Sequence, residues 1–188
     1  MVRLDSLRRI ALTVSCLAGL AATPARAQQS PPPSAPTGRV TQPAPPPSSA
    51  ASLEATLRSL SLDPLCEAQS TTTIRCEARA TLPGSDDTIL LRVIASSETR
   101  TIFLSVPDLA HAASDAPGTP ALLRRLAELN WELLLGKLEW NAASGEVRLT
   151  MVLPTHGGLD RDALGAMVRA LVATAGRLGP ALRALAPR

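Results

Sequence analysis

The run Thr72-Thr73-Ile74-Arg75-Cys76-Glu77-Ala78-Arg79-Ala80-Thr81-Leu82 decides the fold. Thr72, Ile74, Cys76, Ala78, Ala80 and Leu82 alternate with Thr73, Arg75, Glu77, Arg79 and Thr81. A period of two places one set on each face of a strand, which reads as a strand with one face buried. Pro83-Gly84-Ser85-Asp86 then makes a turn. Thr88 to Ala95 repeats the pattern through Ile89, Leu91, Val93 and Ala95, and Thr99 to Val106 repeats it through Ile102, Leu104 and Val106. Consecutive strands joined by short turns pair antiparallel.

Outward from this meander, helical periodicity takes over. Ser52 is placed to cap a short helix with Leu53, Leu57 and Leu60 on one face, ended by Pro64. On the other side a loop is expected over 107–118. Thr119-Pro120 then opens a helix, with Thr119 as its N-cap and Pro120 at its first position, striped by Leu122, Leu123, Leu126 and Leu129. Leu133 to Asn141 and Glu146 to Leu153 read as a further hairpin, with Leu134, Gly136, Leu138 and Trp140 in phase on its first strand. Asp160 caps a long last helix carrying Leu164, Val168, Leu171, Val172, Ala175 and Leu178, which Gly179-Pro180 is expected to kink or interrupt. The expected fold class is α+β, an antiparallel sheet with helices packed on one face, in the order α-β-β-β(-β)-α-β-β-α.

The N-terminal part has other chemistry. Arg3, Arg8 and Arg9 precede an apolar run from Ile10 to Ala22, too short for a membrane-spanning helix, and Ala25-Arg26-Ala27 is a small-x-small cleavage pattern before Gln28. Residues 1–27 read as a signal peptide cut between Ala27 and Gln28, with a membrane anchor, or a loose lipobox at Thr13-Val14-Ser15-Cys16, as the alternatives. The expected destination is the periplasm or beyond, as a secreted protein, with no membrane insertion after cleavage. Residues 28–50 hold prolines 31, 32, 33, 36, 43, 45, 46 and 47 and one charge, Arg39, which reads as a disordered, proline-rich linker, a spacer or else a ligand for a partner. Residues 51–188 form the domain.

Charge and aromatic content exclude several functions. The chain of 188 residues carries 19 Lys and Arg against 16 Asp and Glu, but four of those Arg and one of those Asp lie in the signal segment, so the remainder is balanced. The pI of about 9.2 therefore belongs to the precursor and gives no ground for expecting nucleic acid. One Phe, two Trp and no Tyr leave little to stack a base or a sugar.

Leu129-Asn130, Leu135-Gly136-Lys137-Leu138, Gly145-Glu146-Val147, Leu153-Pro154 and Leu159 before a long helix together resemble the second half of a YbjN-type domain. The order of elements over 51–188 is also similar to the type III secretion chaperone-like fold. The resemblance implies a non-enzymatic, partner-binding domain, in some cases tied to sensing or regulation, and brings no catalytic residues with it.

Two cysteines, Cys66 and Cys76, remain after cleavage, in an oxidising compartment. If Leu65 to Gln69 is a strand hairpinned onto Thr72 to Leu82, a turn at Ser70–Thr72 sets Cys66 against Cys76. A disulfide between them is expected, with two reduced core thiols as the alternative. Catalytic patterns are sparse. Ser114, His156 and Asp160 could be written as a triad, but no nucleophile motif supports it, and His156 beside Gly157-Gly158 reads as a turn residue. Asp86-Asp87 and Asp160/Asp162 suit turns and caps, and neither a metal-ligand set nor a cofactor motif is present in the sequence, so no cofactor is expected. Leu90, Ile94, Phe103, Leu133 and Leu135 lie out of phase with the core stripes and, with Trp131, are expected to form an apolar patch on the second face of the sheet. That patch fits a protein partner or a second copy of the chain, unless the 107–118 loop covers it. The expected function is an exported protein-interaction, chaperone-like or regulatory domain. A small-ligand or lipid carrier with a cavity between helices and sheet is the alternative, and a small hydrolase the more remote one.

Overall fold

The computed structural model describes residues 50–186. The signal segment, its cleavage point at Ala27/Gln28 and all of the proline-rich stretch but Ala50 lie outside the described residues. The elements are α1 (Ala50–Arg58), β1 (Leu65–Ala68), β2 (Thr73–Thr81), β3 (Thr88–Ser96), β4 (Thr101–His111), α2 (Thr119–Glu132), β5 (Lys137–Trp140), β6 (Glu146–Pro154) and α3 (Arg161–Leu185). The six strands form one antiparallel sheet in the order β1-β2-β3-β4-β6-β5. This is the expected α+β architecture.

All three helices pack on the face set by the apolar phase of the strands. Ile74, Cys76, Leu91, Val93, Ile102, Leu104, Leu149 and Met151 meet Leu53 and Leu57 of α1, Leu122, Leu126 and Leu129 of α2, and Leu164, Val168, Leu171 and Leu178 of α3 in one buried cluster. Within it α3 lies on β4 and β6, α1 on β1 and β2, and α2 on β5. Fully burying each large apolar side chain contributes roughly 1.5–3 kcal/mol, so this layer carries most of the fold's stability.

Four local features differ from the sequence expectation. First, β4 does not end at Val106 but runs to His111, with Ala110 opposite Val147 and a bulge between Val106 and Ala110. Pro107 has no N–H to offer a ladder, and a bulge is where a sheet tolerates it. Second, β5 is short. Helix α2 runs through Glu132, the Leu133 N–H donates back to Leu129 O at 2.9 Å, and Gly136 turns the chain into the sheet at φ +88°. Leu133 itself packs against the core. Third, Thr119 is inside α2, whose N-cap is Gly118; its hydroxyl instead donates to Ala113 O at 2.6 Å. Fourth, Pro180 sits inside an uninterrupted α3. The Asp160 carboxylate caps that helix as expected, accepting from the N–H groups of Asp162 and Ala163 at 2.9 and 3.0 Å.

Candidate interaction surface

The strand phase opposite the core builds the second face of the sheet. Register places Ile94 beside Phe103 and Phe103 beside Val152. These three make a short apolar row across β3, β4 and β6, with Leu90 on the same face of β3. Leu90, Ile94 and Phe103 are half-buried and Val152 is exposed. Charged side chains frame the row. The Arg92 Nε donates to Glu77 Oε1 at 2.9 Å, and Arg75 pairs with the same carboxylate. On the far side Arg148 donates to Glu139 at 2.9 Å and lies over the Phe103 ring, 5.6 Å from its centre. The hydrogen bond from Arg75, then that from Arg92, holds the Glu77 carboxyl below the usual glutamate range; the same Glu77 bond, chiefly, raises the Arg75 guanidinium. Residues 107–111 belong to β4, and Pro107 and Asp108 border Leu90.

Trp131 and Leu135 stand elsewhere, at the end of α2 and in the link to β5. Trp131 is 92%, Leu134 98% and Leu135 63% exposed. The six residues expected to form one patch are thus divided: Leu90, Ile94 and Phe103 on the open face, Trp131 and Leu135 at the α2–β5 corner, Leu133 turned to the core. Sequence phase missed Leu134, assigned to a strand interior, and did not single out Val152. The signal for Leu134 was available in Gly136, whose left-handed backbone ends any strand that would begin at Leu133.

The edges of the sheet differ in chemistry. At β5, the Asn130 side chain takes both outward backbone groups of Leu138: its Oδ1 accepts from the Leu138 N–H at 2.8 Å and its Nδ2 donates to Leu138 O at 3.0 Å. A side-chain amide thus stands where a further strand would pair. This gives a physical role to the Leu129-Asn130 pair in the last turn of α2. At the other edge Cys66 lies directly opposite Cys76, and the two form a disulfide. The edge strand is thereby fixed to the sheet by a covalent bond.

Among the described residues the Ser114, His156 and Asp160 set is not joined by hydrogen bonds, and Asp160 is committed to its helix cap. Asp86 and Asp87 lie exposed in the β2–β3 turn. Among the described residues no three of His, Cys, Asp or Glu come together as a metal-ligand group, and no helix is long and apolar enough to cross a membrane.

No curated protein matches the chain. Residues 49–184 match the family model YbjN, described as "Putative bacterial sensory transduction regulator". That match spans well over half of the 188 residues, and the protein belongs to the YbjN family.

Proposed function

We propose that this protein is an exported, non-enzymatic interaction domain with a regulatory or chaperone-like role, which binds protein through the apolar surface and edges of its sheet. The observation that carries the reading is the corner formed by Trp131, Leu134 and Leu135, three large apolar side chains held in water at 92, 98 and 63% exposure. Exposed apolar clusters of this kind are commonest at interaction sites. The description of the family as a regulator supports the same class. Export rests on the N-terminal segment, and the Cys66–Cys76 disulfide suits an oxidising compartment.

A second reading, a carrier of a small ligand or lipid, has one observation in its favour: a half-open cavity of about 420 Å³ between β2, α3 and the segment after α1. The test of the main reading is site-specific photocrosslinking in the producing cell, with the photoreactive residue at position 131 or 103. Capture of a defined protein, or of a second copy, at either position is the expected result, reduced by Leu134→Ser. Absence of any protein adduct at both positions contradicts it.

A further inference from the structure

β2 is longer than the strand beside it. The last pair between them is Leu65 with Glu77, whereas β2 continues to Thr81. The Gln69 N–H donates to Thr73 O at 2.9 Å, and the Leu82 N–H donates to Asp87 O at 2.8 Å. Ladder alternation between these two bonds turns the odd residues of β2 toward β1 and the even ones toward β3. Past Glu77, the backbone groups of Arg79 and Thr81 therefore face outward, where no strand among the described residues pairs with them. The chain leading into β1 diverges there, and the gap is the cavity of about 420 Å³ lined by Leu60, Leu62, Ala80, Val168 and Val172.

Arg79 and Arg169 stand at this cavity, both exposed, and neither takes part in an ion pair among the described residues. No acidic residue lines it. The gap runs along only a few residues of β2 and is closed at one end by the Leu65–Glu77 pair. Two exposed arginines at an apolar gap suit a chain end that carries a carboxylate.

We infer that this gap receives the carboxyl-terminal segment of a partner protein. The segment adds along Arg79–Thr81 by backbone hydrogen bonds, buries an apolar side chain against Leu62 and Val172, and sets its terminal carboxylate against the guanidinium groups of Arg79 and Arg169. A fatty acid would use the apolar wall and the cations but leave the backbone groups unpaired, which favours the peptide. The inference rests on the protein-binding reading above and gives that reading one specific site.

The experiment selects from a library of pentapeptides with free carboxyl ends and three randomised last positions, using the full chain and the Arg79→Gln/Arg169→Gln variant. Both arginines are exposed, so the variant is expected to fold, as circular dichroism can verify. The expected result is enrichment of peptides ending in apolar residues. Their binding should fall about tenfold or more on amidation of the carboxyl end, and by a similar factor in the variant. Equal enrichment on the variant, no enrichment at all, or indifference to amidation overturns the inference. Binding of decanoate without any peptide assigns the cavity to an amphipathic anion and overturns it as well. Because the crosslinking positions 103 and 131 lie on other elements, adducts there together with a failed selection would remove this site alone.

Discussion

The two margins of the sheet solve the same problem in opposite ways. An edge strand presents unpaired N–H and C=O groups that invite another chain. At β5 the protein answers with a side chain: Asn130 occupies both outward groups of Leu138. At β1 it answers with a covalent tie, Cys66 to Cys76, which fixes the strand but leaves its outer backbone, and the overhanging end of β2, without a ladder partner among the described residues. A sealed margin cannot accept a strand and an open one can. On the proposed reading, backbone-mediated binding belongs to the β1–β2 side, and the β5 side offers its exposed apolar corner, Trp131, Leu134 and Leu135.

The largest expected effect comes from breaking the covalent margin. Changing Cys66 and Cys76 together to Ala should cost up to about 3 kcal/mol in urea unfolding, on loop-entropy arithmetic for residues 10 apart in sequence. A loss confined to β1, with the rest of the sheet unaltered in amide exchange, would sharpen the contrast. A loss of the whole fold would show that the tie serves the core as well. Asn130→Ala comes next: it leaves the Leu138 N–H and C=O without partners and should cost about 2 kcal/mol. Asn130→Asp keeps an acceptor for the N–H but no donor for the carbonyl, and should fall between wild type and Ala. If Asn130→Ala is also more prone to self-association in sedimentation, the sealing role is direct.

A smaller effect is expected from Glu77→Gln, which removes the carboxylate shared by Arg75 and Arg92. The pair is partly exposed, so the loss should stay below about 1 kcal/mol. Its pH dependence has a definite sign. The Glu77 carboxyl is depressed in the folded protein, so its contribution is present above the ordinary glutamate value of 4.5 and is lost as the pH falls below it. Wild type and Glu77→Gln should therefore converge in stability as the pH falls below 4.5, when thermal unfolding is followed across acid pH. The smallest effect is expected at the exposed corner, where Trp131→Ser should change stability by no more than about 0.5 kcal/mol while altering crosslinking to partners.

Most of the fold was legible because period-two alternation is a local signal. Ile74, Cys76, Ala78 and Ala80 on β2, and Leu91 and Val93 on β3, are all buried as the alternation requires. The same logic, joined to a turn placed at Ser70–Thr72, brought Cys66 opposite Cys76. The bulge after Val106 was not legible. Pro107 and Asp108 carry turn chemistry, and only the partner strand β6 shows that two extra residues are absorbed without leaving the sheet. The Asn130–Leu138 contact was likewise hidden, because it joins a helix to an edge strand and its pattern exists only in three dimensions. The proposed carboxylate site was missed for a related reason. Arg79 and Arg169 lie 90 residues apart in the chain and read separately as solvated charges on a strand and a helix.

Amide hydrogen exchange by NMR compares the two margins directly. The account predicts slow exchange at the Leu138 N–H, held by Asn130, and exchange about a hundredfold or more faster at Arg79 and Thr81 on the overhang of β2. Comparable protection at the three positions, or rapid exchange at Leu138, would contradict the distinction between a sealed and an open edge.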